Sequence, residues 1–246
     1  MRRALRNRRI VVTRPEAQAE EFCSQLRAAG ACPIRFPTIQ LAPIPDTRPL
    51  QRALEQLESF RWVIFTSVNG VVYTWRTLNR VWPQELKVAA IGPATAAALH
   101  ARTVAVDFMP KEFRAERIAT GLRMLDGGHV LLLRAERARP ILADMLRARR
   151  VHVTEIAVYR TLTNRPPAAA YAALQKGVDA ITFTSTSTVE GFTTVAEHPS
   201  RDTLVACIGP VTAQAARDHG YNVRAIAREY TTGGLLKALQ EHFENP

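Results

Sequence analysis

Turns that carry hydroxyl groups or a Gly-Pro pair follow several predicted strands of this 246-residue chain. The candidate binding residues in these turns are Ser67, Asn69, Gly92, Thr95, Ser185, Ser187, Gly209 and Thr212. In each Gly-Pro pair we expect glycine to permit the tight turn, and proline to open the helix where a backbone donor would be unpaired anyway. Exposed N–H groups at such helix starts favour anions. The turns therefore predict an anion-binding site, with ordinary capped strand-to-helix turns as the alternative.

Two arginines, Arg14 and Arg134, lie at the ends of predicted strands, where a guanidinium can bind a carboxylate through two hydrogen bonds. The chain has 33 Lys and Arg residues against 22 Asp and Glu, and this formal net charge of +11 suits an acidic ligand. Because arginine is abundant here, a solvated or structural role is the alternative for Arg14 and the favoured interpretation for Arg134.

The elements that position these residues alternate along the chain. Short β-branched runs predict buried strands at Arg9–Thr13, Trp62–Thr66, Lys87–Ile91, Val130–Leu133, Ala180–Thr184 and Leu204–Ile208, and weaker strands at Val104–Phe108 and Val223–Ala227. Segments of helical period lie between them, such as Ala17–Ala29 with Phe22, Leu26 and Ala29 on one face. The alternation predicts βα units and parallel sheet, in which ligands bind beyond the carboxyl ends of the strands.

An internal repeat indicates two copies of one α/β unit. The matched segments are Trp62–Val71 with Ala180–Val189 at an offset of 118 residues, Ile91–Ala96 with Ile208–Ala213 at 117, and, more loosely, Ile10–Pro15 with Val130–Ala135 at 120. The last match places Arg14 and Arg134 at equivalent points. A period this long predicts duplicated domains, since solenoid repeats are much shorter.

Two extended stretches that end near prolines, residues 33–45 and 151–163, are typical of strands that connect domains. If both cross between domains, domain 1 is discontinuous. It then comprises residues 1–40 plus 163–246, and domain 2 comprises residues 44–158.

Composition and motifs exclude several classes of protein. Apolar residues make up 47 % and charged residues 22 % of the chain, which is typical of a globular protein. Every apolar run is too short to span a membrane, and the basic start lacks a signal-peptide core, so we expect a cytoplasmic protein. The three cysteines and six histidines show neither CxxC nor HExxH spacing, so no disulfide framework and no metal site is expected. Walker, GxGxxG and GxSxG loops are also missing from the sequence.

The first nine residues contain a basic run of Arg2, Arg3, Arg6, Arg8 and Arg9. Clustered cations bind phosphate, but no aromatic residues interleave and no nucleic-acid module follows. The run is therefore interpreted as a frayed, solvated arm, and no nucleic-acid partner is expected.

The ordered set of motifs resembles the uroporphyrinogen-III synthase family from about Arg9 to Leu239. The motifs are Val12-Thr-Arg-Pro15, Phe65-Thr-Ser-Val-Asn-Gly-Val71, Ile91-Gly-Pro-Ala-Thr-Ala96, Val158-Tyr-Arg-Thr161, Phe183-Thr-Ser185, Ile208-Gly-Pro-Val-Thr-Ala213 and Tyr230-Thr-Thr-Gly-Gly-Leu235. The sequence departs from the family pattern in the Ala148-Arg-Arg150 turn, where a glycine is expected, and in the Arg134–Arg139 loop.

The resemblance implies a HemD-like fold of two flavodoxin-like α/β lobes joined by a two-stranded β connector, with the active site in the cleft between them. It implies a lyase of porphyrin and heme biosynthesis that closes hydroxymethylbilane to uroporphyrinogen III, with loss of water and inversion of the terminal pyrrole ring through a spiro intermediate. It also implies no cofactor, no membrane partner, a monomer, and a transient handover of substrate from hydroxymethylbilane synthase.

The reaction that the resemblance implies needs no protein nucleophile. It requires protonation of a leaving hydroxyl and a firm hold on the tetrapyrrole, so catalysis is chiefly by positioning. Tyr159 matches the family tyrosine of the Val-Tyr-x-Thr motif and is the candidate that donates or relays this proton. A packing role for the tyrosine is the alternative.

Other classes of function stay open at this point. A non-catalytic, two-lobed anion-binding module would bind its ligand without forming product, and an inactive paralogue of the synthase would keep the fold alone. A nucleic-acid binder ranks third, and its binding would weaken steeply with salt.

Overall fold

The computed structural model describes residues 4–122 and 128–244. Its strands are β1 Arg9–Val12, β2 Cys32–Arg35, β3 Ile39–Pro43, β4 Trp62–Phe65, β5 Lys87–Ala90, β6 His129–Ala135, β7 His152–Thr163, β8 Ala180–Phe183, β9 Leu204–Cys207 and β10 Val223–Ile226. Its helices are α1 Glu16–Ala28, α2 Arg48–Glu55, α3 Val68–Thr77, α4 Pro93–His100, α5 Ala115–Gly121, α6 Ile141–Ala148, α7 Ala168–Gln175, α8 Thr186–Val195, α9 Pro210–Asp218 and α10 Thr232–Glu244, with a 3-10 turn at Leu57–Ser59.

The chain forms two compact units, of which unit 1 comprises Met1–Leu41 with Leu162–Pro246, and unit 2 comprises Ala42–Thr161. Within the part that the structure describes, no helix is long and apolar enough to cross a membrane.

Unit 1 is built on a five-stranded sheet with the order β10-β9-β8-β1-β2, in which each neighbouring pair is parallel. Because helices cover both faces of a parallel sheet, its inner strands β8 and β9 are buried along their whole length. Ile10 and Val12 pack on one face in the cluster that includes Phe22, while Val11 lies on the other face with Phe183. The order in which strands are added to the sheet reverses between β1 and β8, and ligands bind at such a switch point in α/β sheets.

The sheet of unit 2 has the order β3-β7-β6-β4-β5, and the pairs from β7 to β5 are parallel. Its neighbours β6 and β4 are the repeat equivalents of β1 and β8, so the same switch point occurs between them. Ile64 of β4 and Leu132 of β6 are fully buried in one core cluster. The prediction of two parallel-sheet α/β copies is confirmed.

Two expectations about strands differ from the structure. Residues 104–108 form no strand. Phe108 makes one isolated bridge with Ala89, and the Asp107 carboxylate accepts the Val88 N–H at 2.8 Å, so a side chain occupies part of that sheet edge. Residues 33–45 form β2 and β3 rather than one extended segment, because the chain is interrupted at the fully buried Phe36 and Thr38.

The basic N-terminal run is not a frayed arm from Leu5 onward. Leu5 is fully buried in the core of unit 1. The Arg8 guanidinium contacts the Asp179 carboxylate at 2.7 Å, and Arg9 donates to the Ala173 carbonyl at 2.6 Å. Arg2 and Arg3 lie outside the described residues.

Candidate active site

The Tyr159 phenol lies in unit 2, beside the turn that follows β4. Its hydroxyl is 3.3 Å from Ser67 Oγ, and it also forms a hydrogen bond with the Asn69 side chain. The backbone of Tyr159 is held by the Glu136 N–H, which donates to the Tyr159 carbonyl at 2.8 Å. The ring is 7 % exposed. Three of the predicted site residues, Tyr159, Ser67 and Asn69, are therefore brought together.

Burial raises the pKa of the Tyr159 phenol above its ordinary value near 10. The hydrogen bonds from Ser67 and Asn69 oppose this shift in pKa, because they stabilise the phenolate, and the nearby Tyr73 raises the pKa further. The phenol is therefore protonated at neutral pH. It has a proton to donate and two partners that would stabilise the phenolate left behind.

Ser67 has two roles in this arrangement. It is the N-cap residue of α3, where its Oγ accepts the Gly70 N–H at 2.9 Å. Since that bond uses a lone pair of Ser67 Oγ and not its proton, the Ser67 hydroxyl can still donate to the Tyr159 oxygen. At Gly70 an added Cβ would lie 3.0 Å from the Leu133 carbonyl oxygen of β6, so glycine lets α3 approach the neighbouring strand closely.

A second tyrosine, Tyr73 of α3, packs against Tyr159. The ring centroids are 5.4 Å apart, and the planes are inclined by 25°. The Arg76 guanidinium lies 4.4 Å from the centroid of the Tyr73 ring. The residue types around Tyr73 do not single it out, although alignment of the two repeats shows it opposite Gly191.

The equivalent turn of unit 1 is closed by its own hydroxyl groups. Ser185 is the N-cap residue of α8 and accepts the Thr188 N–H at 3.2 Å. The Thr188 hydroxyl in turn accepts the backbone N–H of Ser185 at 3.1 Å and that of Thr184 at 3.2 Å. Ser187 lies half-buried in the first turn of α8. In unit 2 the place of Thr188 is taken by Gly70, so this reciprocal cap cannot form there.

The two Gly-Pro turns begin α4 and α9, as predicted, with proline as the first helical residue. The expected reason for the glycine is wrong, because Gly92 and Gly209 have extended backbones that any residue adopts. An added Cβ would instead lie 3.2 Å from the Phe113 ring at Gly92 and 3.1 Å from the Tyr230 ring at Gly209. An aromatic ring therefore lies against each of these helix starts, and the Gly-Pro pairs alone do not predict it.

Thr95 and Thr212 lie in the first turns of these two helices, and both are buried. They occupy equivalent positions in unit 2 and unit 1, at the carboxyl ends of β5 and β9 respectively.

The two equivalent arginines differ in their surroundings. The Arg134 guanidinium pairs with Glu155 and donates to the Arg139 carbonyl at 3.1 Å, and its side chain is only 11 % exposed. The Arg14 guanidinium makes a weak contact with the Gln18 side chain at 3.4 Å, and among the described residues its buried Nε has no hydrogen-bond partner. Burial lowers the pKa of Arg14, with Glu21 acting in the opposite direction. Arg14 is thus the better placed of the two to receive a carboxylate.

No group of three or more His, Cys, Asp or Glu side chains that could hold a metal ion occurs in residues 4–122 and 128–244. His129 instead contacts the Thr154 hydroxyl at 2.8 Å, and His219 contacts the Ala215 carbonyl at 2.8 Å at the end of α9.

Comparison with known proteins links this arrangement to one family. The sequence model described as "Uroporphyrinogen-III synthase HemD" matches residues 20–237. A uroporphyrinogen-III synthase from Synechococcus elongatus is 31 % identical over 248 residues, which cover 94 % of this chain and 94 % of that protein. A porphyrin biosynthesis protein HemD from Ruminiclostridium josui is 30 % identical over 94 % of this chain, which spans about half of that protein (48 %).

Solved structures show the same fold. A mutant uroporphyrinogen III synthase from the extremely thermophilic bacterium Thermus thermophilus matches with a TM-score of 0.69 at 20 % identity, covering 97 % of this chain and 99 % of that one. The enzyme from Helicobacter pylori 26695 matches with a TM-score of 0.61 at 19 % identity, covering 94 % and 97 %. These likenesses support the α/β fold with two lobes that contain parallel sheets.

Proposed function

The chain belongs to the uroporphyrinogen-III synthase family and has the function of this family of cyclising lyases, and we propose that it acts on hydroxymethylbilane with Tyr159 as the proton donor. The observation that carries the proposal is the buried, protonated Tyr159 phenol with Ser67 and Asn69 as its hydrogen-bond partners. The non-catalytic alternatives are not favoured, because a binding module needs no proton donor.

The proposed first step is loss of the terminal hydroxyl of the substrate. The Tyr159 O–H proton passes to that hydroxyl, the carbon–oxygen bond breaks, and water leaves with the electron pair of that bond. The remaining substrate is an azafulvene-type electrophile, which a substituted pyrrole carbon then attacks to give the spiro intermediate. The electrophile left by loss of water is a cation, so rearrangement and ring closure release one proton, and this proton returns to the Tyr159 phenolate.

Ser67 and Asn69 act on the phenolate that this transfer leaves on Tyr159. Each lies within hydrogen-bond contact of the phenol oxygen and stabilises its negative charge, as their effect on the pKa of Tyr159 indicates. This revises the role expected from the sequence, in which both side chains bind substrate carboxylates.

The acidic side chains of the substrate are proposed to bind at the carboxyl ends of the strands in each unit. In unit 1 the desolvated Arg14 supplies a guanidinium whose buried Nε has no hydrogen-bond partner among the described residues. Backbone N–H groups at helix starts suit carboxylates as well. The further proposed binding residues are Gly92, Thr95, Ser185, Ser187, Gly209 and Thr212. Arg134 pairs with Glu155, and its proposed role is therefore mainly structural.

Substitution of Tyr159 by Phe tests the proposal. Hydroxymethylbilane is generated in situ, the purified protein is added, and the oxidised uroporphyrin isomers are separated. A general acid typically contributes 10²- to 10⁴-fold, so kcat for isomer III is expected to fall by about 100-fold or more in Tyr159→Phe. Wild-type turnover with an unchanged isomer ratio would remove Tyr159 from the mechanism.

Tyr221 of unit 1 offers a matched control. It is also buried, its pKa is also raised by burial, and its hydroxyl is 3.0 Å from Thr193 Oγ1. Tyr221→Phe therefore removes the same kind of hydrogen bond and is expected to keep wild-type turnover.

The remaining assignments are proposals of the same kind. We propose that the protein works as a monomer in the cytoplasm, without a cofactor, and receives its substrate from hydroxymethylbilane synthase by transient handover. The family membership and the acidic substrate support these assignments. Sedimentation of the purified protein at several concentrations measures the oligomeric state directly.

A further inference from the structure

We propose that Tyr73 is a positioning residue for Tyr159, an inference that rests on the function proposed for Tyr159 above. Tyr73 holds the Tyr159 ring so that its hydroxyl stays between the Ser67 and Asn69 side chains.

The side-chain contacts of Tyr159 described above come from one helix and its cap. Ser67 caps α3, Asn69 lies in its first turn, and Tyr73 lies one turn further along. Ser67 and Asn69 contact Tyr159 through its hydroxyl group. Tyr73 packs flat against the ring, at 5.4 Å and 25°, and is itself only 7 % exposed. The hydrogen bonds locate the oxygen, and the stacked ring fixes the plane of the phenol.

Arg76 in turn restrains Tyr73. It lies three residues further along α3, on the same helix face, and its guanidinium is 4.4 Å from the Tyr73 ring centroid. The attraction between a cation and the face of an aromatic ring is favourable. The Tyr73 ring is therefore restrained by its contact with Arg76 as well as by its contact with Tyr159.

The duplicated unit shows that the fold itself does not require this pair. By the repeat offsets, Tyr73 and Tyr159 correspond to Gly191 and Ile39 of unit 1. There an added Cβ at Gly191 would lie 2.8 Å from Ile39 Cγ2 and 2.7 Å from the Thr38 carbonyl oxygen. Helix and strand meet directly in unit 1, without aromatic rings. Both positions carry tyrosine only in unit 2, where the proposed proton donor lies, so the pair is explained by the chemistry rather than by packing.

The test compares substitutions that remove or keep the ring. Tyr73→Leu removes the stacked ring, and Tyr73→Phe keeps it. Trp75→Leu is the matched control, because Trp75 belongs to the same helix and stacks on Trp82 at 5.0 Å instead of on Tyr159. Each variant is assayed for kcat and KM with hydroxymethylbilane generated in situ. The pKa of Tyr159 is measured by NMR with ¹³C-labelled tyrosine.

A displacement of about 1 Å at a reacting group can cost 10²-fold, so kcat is expected to fall by about 10- to 100-fold in Tyr73→Leu, with KM unchanged. Tyr73→Phe is expected to restore turnover, and Trp75→Leu to retain it. The pKa of Tyr159 is expected to move in Tyr73→Leu but not in Trp75→Leu. Should Tyr73→Leu fail to fold, Tyr73→Met, which fills a similar space with a flexible chain, takes its place.

A double-substitution cycle separates positioning from general structural support. In the Tyr159→Phe background, Tyr73→Leu is expected to cause no further loss of kcat, because it acts through the Tyr159 hydroxyl. Full turnover of Tyr73→Leu beside an impaired Tyr159→Phe would overturn this inference and leave the proposed function intact. Additive losses would also overturn it. Full turnover of Tyr159→Phe would overturn both.

Discussion

Substitution of Ser67 by Ala separates the structural and chemical roles of one hydroxyl. In the structure, Ser67 Oγ accepts the Gly70 N–H at 2.9 Å and lies 3.3 Å from the Tyr159 hydroxyl. The first bond caps α3, and loss of an N-cap side chain costs about 1 kcal/mol of stability. The second stabilises the developing phenolate. A hydrogen bond to a charged group is worth about 1.5–3 kcal/mol, and each factor of ten in rate corresponds to about 1.4 kcal/mol.

Because Asn69 remains as a second partner of Tyr159, we expect the lower end of this range. In Ser67→Ala, kcat for isomer III falls by about tenfold, and the free energy of unfolding falls by about 1 kcal/mol. The loss of one donor also raises the pKa of Tyr159, since the bond from Ser67 lowers it. Turnover is measured by isomer separation, and stability by urea unfolding followed by circular dichroism.

Thr231→Ala is the control for the stability change. Thr231 Oγ1 accepts the Gly234 N–H at 3.0 Å at the start of α10, which is the same kind of cap in unit 1. It is expected to lose a similar amount of stability and to keep full turnover. If Ser67→Ala and Thr231→Ala lose stability alike and both retain wild-type kcat, the hydroxyl of Ser67 is only a cap, and the reasoning fails.

Three further changes have defined outcomes. Gly191→Ala places a Cβ 2.7 Å from the Thr38 carbonyl oxygen and is expected to cost about 1–3 kcal/mol in urea unfolding, whereas the same change at Gly233, with 3.8 Å of space, leaves the midpoint unchanged. Arg150 has a backbone φ of 59°, which glycine adopts without strain, so Arg150→Gly is expected to increase the free energy of unfolding by about 0.5–1 kcal/mol and to raise Tm. A lower Tm would contradict this. Because the pKa of Tyr159 is raised above 10, the wild-type kcat is expected to be constant up to about pH 9 and to decline only above pH 10. The folded protein also loses stability above pH 10, because Tyr159 ionises more readily in the unfolded state than in the buried site. A kcat decline centred well below pH 10 would argue against this donor.

The strands were predictable where burial on both faces makes the sequence apolar throughout. Val11 and Ile64 belong to such runs, and the repeat then identifies the two copies. Strand order was not predictable, because it depends on pairs such as Ile10 with Ala180, which lie far apart in the chain. The strand expected over residues 104–108 failed for a local reason. Asp107 and Phe108 form backbone hydrogen bonds with β5, but the Val88 N–H is bound by the Asp107 carboxylate, and a pattern of side-chain polarity does not reveal this.

The candidate site was predicted residue by residue, but not as an arrangement. Tyr159, Ser67 and Asn69 were each singled out, yet nothing in their spacing indicates that Ser67 and Asn69 contact Tyr159. Tyr73 resembles an ordinary core residue on a helix. Its signal lies in the alignment of the repeats, where a glycine stands opposite a large aromatic residue. Divergence within a duplicated pair therefore indicates function where either copy alone does not.

The position of β1 in its sheet has a consequence for the order in which the chain becomes structured during synthesis. Strand β1 is an inner strand, and one of its two neighbours, β8, is made about 170 residues later. Residues 42–161 are continuous and can fold as soon as they leave the ribosome, since domains generally fold as units. Strand β1 is translated before residues 42–161, yet one of its edges must stay unpaired until β8 has been made.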